Sequence, residues 1–265
     1  MEGSFVSIDS ERTLIIGRYG RLARALRYLF PNVAVVGRNE ADIRDPGSLR
    51  RAACRIQPDL IINCAAMTDV AHCEVDPTEA RSVNVEGVVN LSLVSKELGA
   101  RLIHFSSDYA SHPVNEYGRS KLEGEQYADL TIRAKIYDAS HWAWEALSCG
   151  RGVRMTACEF SNPISTTSLG RLLPALLRMG RRGVVVLGTR ERRSFFQIGQ
   201  VWATVIGARI GLVEQVGRIE SPYPRPTDTF MPVDDLVAAG IDVPDLEVDA
   251  REHRRHFLNY GNSAG

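Results

Sequence analysis

Thr13-Leu14-Ile15-Ile16-Gly17-Arg18-Tyr19-Gly20-Arg21-Leu22-Ala23 is the stretch on which the fold turns. Four β-prone or apolar residues read as a buried strand, and the Gly-x-x-Gly-x-x-Ala that follows opens a segment of helical period running to Phe30. Each small residue has a steric reason. Gly17 permits a tight turn, Gly20 lets backbone amides approach an anionic group, and Ala23 lets the helix lie close to the strand, while the helix start presents unpaired N–H groups. In a chain with 22 glycines such a pattern arises easily by chance. Its strand–turn–helix setting is what makes it a predicted pyrophosphate cradle.

Outward from this stretch the alternation continues. Val33 to Val36, Asp59 to Ile62 and Arg101 to Phe105 read as further strands, and Pro46 to Ile56, Thr78 to Leu98 and Tyr117 to Ala128 as helices. Strands apolar almost throughout are buried on both faces, as in a parallel sheet with right-handed crossovers. The predicted fold class is therefore α/β, a doubly wound parallel sheet of the Rossmann type. Beyond residue 129 the pattern loosens: Leu130 to Ile136, Val153 to Thr156 and Val184 to Leu187 are predicted strands, Leu169 to Met179 and Phe195 to Ile210 predicted helices. The turn-rich Ser221 to Thr227 and the tail predict a small C-terminal substrate lobe. One domain over 1–265 is expected, with a cofactor-binding part over about 1–137 and a mixed part over about 138–265 that completes the sheet and forms the lobe.

Composition narrows the function. With 32 basic and 32 acidic residues the formal net charge is zero, so no broad attraction to nucleic acid or an anionic membrane is expected, and any phosphate must be met locally. The five cysteines show no metal-ligand spacing and an odd number cannot all pair, so they read as buried thiols in a reducing cytoplasm, with no metal site. Glu2, Asp9 and Glu11 precede only a four-residue apolar run, unlike a secretory leader, and no apolar stretch approaches membrane-spanning length.

Two constellations carry chemistry. The second strand ends Val35-Val36-Gly37-Arg38 without the carboxylate that would hold a ribose 2′-hydroxyl, whereas Arg18 and Arg38 suit a 2′-phosphate through planar, bidentate geometry. NADPH is the expected cofactor, with NADH possible. At the end of the fourth strand stand Ser106-Ser107-Asp108-Tyr109, and ten residues after Ser107 comes Tyr117-Gly118-Arg119-Ser120-Lys121. A four-residue separation on a helix puts Tyr117 and Lys121 on one face, where an ammonium is expected to favour the ionised phenol and ease proton exchange with a carbonyl oxygen. Ser107 is the expected donor to that carbonyl, and Lys121 also the expected holder of nicotinamide-ribose hydroxyls.

On these residues the chain resembles extended short-chain dehydrogenases, most closely the dTDP-4-dehydrorhamnose reductase family. The likeness takes in Gly17 to Ala23, Asp42-Ile43-Arg44-Asp45, Pro58 to Ala66, Val83-Asn84-Val85-Glu86-Gly87, Ser106 to Tyr109, Tyr117 to Glu125, Ile132-Arg133 and Tyr223-Pro224-Arg225-Pro226. It implies a cofactor lying across Gly17, Arg18, Tyr19, Gly20, Arg38, Asp42, Ile43, Cys64, Ala65, Ala66 and Lys121. It also implies reduction of the 4-keto group of a nucleotide-linked deoxysugar, with Tyr117 delivering the proton. A non-catalytic NADP-binding partner protein of the same fold is the alternative, and self-association is common in the class. Two departures stand out. Ser107 replaces the family's Thr, and the loop Ala110 to Glu116 is about half the usual length, leaving His112 and Glu116 as candidate substrate contacts or plain surface residues. Trp142 and Trp144 read as packing rather than as a stacking platform.

Overall fold

The computed structural model describes residues 8–138 and 141–261; Glu2 of the leader argument lies outside them. The chain divides into two compact units, one formed by residues up to 133 together with Leu173–Val185, the other by Ala134–Leu172 and the residues from Val186 onward.

The first unit carries β1 (Thr13–Ile16), α1 (Arg21–Leu29), β2 (Ala34–Val36), α2 (Pro46–Ile56), β3 (Leu60–Asn63), α3 (Val70–Val75), α4 (Pro77–Arg81), α5 (Gly87–Leu98), β4 (Arg101–Ser107), α6 (Glu116–Gly124) and β5 (Leu130–Ala134). Strand Gly183–Leu187 joins these in a six-stranded parallel sheet, ordered Gly183–Leu187, β5, β4, β3, β1, β2. β1 lies between β2 and β3, with Ile16 beside Val36 on one side and Asn63 on the other, and Asn63 in turn beside His104 of β4. Since α1 crosses one way from β1 and the chain returns the other way to β3, the order reverses between these strands and opens a crevice at their carboxyl ends. All four residues of β1 and of β3 are buried, as expected of strands covered on both faces.

Local chemistry sets the helix ends. Asp45 accepts from the Gly47 N–H at 2.8 Å and Pro46 occupies the first turn of α2, while Asp69 and Asp76 cap α3 and α4. The continuous helix predicted over Thr78 to Leu98 is instead α4, a π-turn over Ser82–Glu86, and α5. The interruption has a packing cause. Buried Asn84 bonds both backbone groups of Met67 (2.9 and 3.0 Å) and the Ser120 hydroxyl (3.0 Å), and α6 comes so close that a methyl at Gly124 would overlap the Asn84 carbonyl.

The second unit is larger than a small tail lobe: it begins at residue 134, and Leu173–Val185 leaves it to rejoin the sheet. Its described residues form two-stranded pairings, including parallel Val153–Thr156 with Val213–Val216, around a core of Tyr137, Trp144, Met155, Ile198, Trp202 and Leu246. Trp144 is buried as expected, whereas Trp142 is exposed. Helices over Trp142–Ser148 and Leu246–Gly261 were not legible as such.

Inside this core the Asp249 carboxylate accepts from the Tyr137 hydroxyl at 2.6 Å and from the Ser165 hydroxyl at 2.7 Å. Burial nevertheless pushes its pKa up to about 6. The folded-state value thus lies above the unfolded one of about 3.9. The protonated form favours folding, so this contribution is fully present below about pH 4 and is lost as pH rises through 6. Buried His253, held down to about 4, works the opposite way over the same range. The difference between wild type and Asp249→Asn isolates the carboxylate: the wild type is expected to lose on the order of a few kcal/mol relative to the variant between pH 4 and pH 7. Urea midpoints across that range measure it, and parallel curves would refute it.

Candidate active site

The crevice between the carboxyl ends of β1 and β3 is a cleft of about 430 Å³. Gly17, Arg18, Tyr19, Gly20, Arg38, Asp42, Ile43, Cys64, Ala65 and Ala66 all line it. The sequence did not single out Met67, His72 and Glu79, which line it too. They come from the segments after β3, where no short motif marks them.

Gly17 sits at φ +106°, and a Cβ there would lie 2.9 Å from the Ala65 nitrogen and 3.0 Å from the Cys64 carbonyl carbon. The turn after β1 thus passes directly against the turn after β3, a contact only glycine permits. The Gly17 and Arg18 amides both donate to Val36 O at 3.0 Å, and Gly20 donates to Gly17 O at 2.8 Å. Gly20 then caps α1 without a side chain, so the first-turn amides meet no side-chain acceptor from the cap. A helix start whose glycine cap supplies no side-chain acceptor fits a pyrophosphate.

One sequence inference needs correction. A carboxylate does stand near the end of β2: Glu40 accepts from the Gly37 N–H at 2.9 Å and pairs with Arg18 at 2.9 Å. The turn after the strand folds back and returns a residue three positions further on. Arg18 also donates to Val35 O, at 3.2 Å from Nε. Arg38 reaches Asp42 at 3.2 Å, and Arg44 holds the same carboxylate at 2.7 Å. The Arg44 hydrogen bonds hold Asp42 well below the ordinary carboxylate range against an opposing desolvation, with Arg38 adding to them. Among the described residues, three arginines surround this end of the cleft, with Glu40 and Asp42 as close carboxylate partners and Glu79 4.0 Å from Arg44.

Ser107, Tyr117 and Lys121 gather at the end of β4 and the start of α6. Asn115 sets this geometry by accepting from the Gly118 N–H at 2.8 Å, which fixes the first turn of α6. Ser107 ends β4, accepts from the Tyr109 N–H at 3.2 Å and donates to Asp108 Oδ1 at 2.9 Å, and its hydroxyl is near enough to Tyr117 to act on the phenol. The Tyr117 ring meets Tyr109 edge-on at 5.7 Å between centroids.

The expected electrostatics of the pair are reversed. Burial pushes the Tyr117 phenol above its ordinary value, the nearby Ser107 hydroxyl offsets this only in part, and Asp108 adds to the rise. Lys121 does not counter it, because its Nζ turns the other way, donating to Phe105 O at 2.7 Å and lying 3.3 Å from His104 Nε2. Burial lowers Lys121 to about 8. A phenol that keeps its proton is suited to donating it.

Elsewhere the expectations divide. His112 is exposed and meets Ser111 at 3.2 Å, and Glu116 is occupied by Arg119 at 2.8 Å. The cysteines are free, but Cys54, Cys149 and Cys158 are exposed, Cys64 is half-buried and Cys73 alone is buried, which corrects the reading of them all as buried thiols. Among the described residues no group of three His, Cys, Asp or Glu is placed to hold a metal, and no helix is long and apolar enough to cross a membrane.

A glycine turn at the switch point of a parallel sheet, with a serine–tyrosine–lysine set after the fourth strand, resembles the arrangement of extended short-chain dehydrogenases/reductases. Residues 11–136 match the family model described as the RmlD substrate binding domain. The chain is 28% identical to the dTDP-4-keto-6-deoxy-D-glucose reductase of Streptomyces niveus, over 88% of this chain and 92% of that one. It is 29% identical to the dTDP-4-dehydrorhamnose reductase of Mycolicibacterium smegmatis, over 89% and 82%. The fold is shared with the Bacillus anthracis dTDP-4-dehydrorhamnose reductase solved in complex with NADP (TM-score 0.84, 20% identity, 93% of this chain and 99% of that one). In sequence and fold the chain thus resembles dTDP-4-dehydrorhamnose reductases, which are NAD(P)-dependent oxidoreductases.

Proposed function

We propose that the chain uses NADPH, with NADH as a weaker substitute, to reduce a keto group, the 4-keto group of a nucleotide-linked deoxysugar. The observation that carries this is the set of Ser107 at the end of β4 with Tyr117 and Lys121 four residues apart on α6, in the unit that also holds the glycine-lined cleft. When bound, the dinucleotide supplies the hydride. The chain's own residues do the rest. The Gly17–Gly20 turn and the start of α1 hold the pyrophosphate, Arg18 and Arg38 meet the 2′-phosphate, and Asp42, Ile43 and Cys64 to Ala66 line the adenosine side. Ser107 fixes the substrate carbonyl oxygen, Tyr117 delivers a proton to it, and Lys121 holds the ribose hydroxyls. Relatives whose names specify dTDP-linked keto sugars support the substrate class.

The test is NADPH consumption with a panel of nucleotide-linked 4-ketosugars. Turnover of at least one is expected, and tight NADPH binding without turnover of any would overturn catalysis in favour of a cofactor-binding partner role. Cofactor choice has its own check. Glu40→Gln keeps an acceptor for the Gly37 N–H but removes the charge paired with Arg18. Because the pair is partly exposed, freeing Arg18 is expected to tighten NADPH about two- to fivefold and leave NADH nearly unchanged. Fluorescence titration reads both, and an equal effect on the two cofactors would place the 2′-phosphate elsewhere.

A further inference from the structure

Tyr19 stands third in the glycine turn and lines the cleft, yet 74% of its surface remains exposed, so the ring is open to a ligand. It does not hang free. A Cβ built on Gly37 would lie 3.0 Å from Tyr19 Cε2 and 3.6 Å from Cδ2, so one edge of the ring is seated on the bare backbone of the turn after β2. Gly37 makes the seat by lacking a side chain. The phenol oxygen is bonded to the carbon next to Cε2, which places the hydroxyl at this same turn. A Rossmann-type fold meets the substituent on the adenosine 2′ carbon at the end of its second strand. Two cations stand there, Arg18 paired with Glu40 at 2.9 Å and Arg38 with Asp42 at 3.2 Å. Either guanidinium must leave a carboxylate, at least in part, to meet a phosphate squarely. A neutral phenol brings a donor without such a competitor.

We propose that Tyr19 is a specificity-determining residue: seated on Gly37, its hydroxyl donates a hydrogen bond to the 2′-phosphate of the bound dinucleotide. The inference rests on the NADPH reading and is independent of which ketone is reduced. The seat also supplies a way to move the ring without touching it. Gly37 lies outside the left-handed region, so alanine there carries no backbone strain. The atom its methyl would crowd is the far edge of an exposed side chain, which can give way, while Arg18 Cβ at 3.6 Å is an ordinary contact. Gly37→Ala therefore displaces the phenol and leaves the turn in place.

The test needs neither substrate nor turnover. It compares the binding of 2′,5′-ADP and 5′-ADP, which differ only in the 2′-phosphate, to the full chain by calorimetry. Tyr19→Phe is expected to weaken 2′,5′-ADP about tenfold, as for a lost hydrogen bond to a charged group, and to leave 5′-ADP within about twofold. Its thermal unfolding should match that of the wild type, because the ring and its seat remain. Gly37→Ala is expected to weaken 2′,5′-ADP about three- to tenfold in the wild type and to have no further effect in a Tyr19→Ala background, since its influence passes through the ring. Equal effects of Tyr19→Phe on the two nucleotides, or none on either, overturn the proposal. So does a Gly37→Ala effect that is absent with the ring or undiminished without it. A wild type that binds the two nucleotides alike removes the NADPH reading and this proposal together. A wild type that favours 2′,5′-ADP, with the preference intact in Tyr19→Phe, removes this proposal alone.

Discussion

Tyr117→Phe is expected to lower kcat for ketone reduction by about a hundredfold or more while NADPH affinity stays within about twofold. The variant deletes one oxygen. The ring keeps its edge-on contact with Tyr109, and the amide cap that fixes the first turn of α6 involves Asn115 and Gly118 rather than position 117. What disappears is the proton held beside Ser107. Burial keeps that proton on the phenol at neutral pH, so the wild type should not require alkaline conditions to retain its donor. Steady-state kinetics and cofactor titration decide the matter together. A fully active Phe variant would remove Tyr117 from the chemistry, and a parallel loss of cofactor binding would show that its role is structural.

The second large effect is expected at Gly17. Alanine there adopts φ +106° at a cost of about 1–3 kcal/mol, and its Cβ also meets the backbone of Cys64 and Ala65 at 3.0 Å or less. Relieving that overlap means prising apart the turns after β1 and β3, a further cost of about 1–3 kcal/mol. Gly17→Ala should therefore lower Tm by several degrees and weaken NADPH binding about tenfold or more, since the displaced turns line the cleft. Gly99→Ala is the control. Gly99 also has positive φ, at +68°, but nothing lies within 4 Å of the added methyl. Its cost is strain alone, and it should leave cofactor affinity untouched. Equal losses in the two variants would mean that close approach at Gly17 has no part in binding.

Much of this site was legible because it is written locally. The helix at Pro46–Ile56 announces itself through Asp45 and Pro46, and the residues of the Gly17 turn carry their steric reasons in their own identities. Most of the cleft-lining residues come from a few short segments around Gly17, Arg38 and Cys64, so motif reading finds those. What was missed depends on chain reversal or on contacts across strands. Glu40 reaches Arg18 only because the turn after β2 brings it back over Gly37, and its sequence position three residues past the strand gives no sign of this. His104 lies inside a strand that reads as core, and its link to Lys121 needs the β3–β4 register and the start of α6 together. The protonation of Tyr117 was misjudged for a related reason: spacing places Lys121 on the same helix four residues on, but only the fold turns its amine toward Phe105. The break between α4 and α5 likewise comes from Asn84 and Gly124, residues far apart in sequence that the folded chain presses together.

The strand Gly183–Leu187 closes the sheet beside β5, yet roughly fifty residues of chain separate the two. On a ribosome adding about 5–20 residues per second, β5 is made several seconds before its neighbour exists. For that interval the nascent sheet has an open edge of unpaired backbone groups, a template for the wrong partner. Birth order thus makes the late strand a guard against aggregation, and a piece of this protein ending near residue 137 would keep its motifs but never lose that edge.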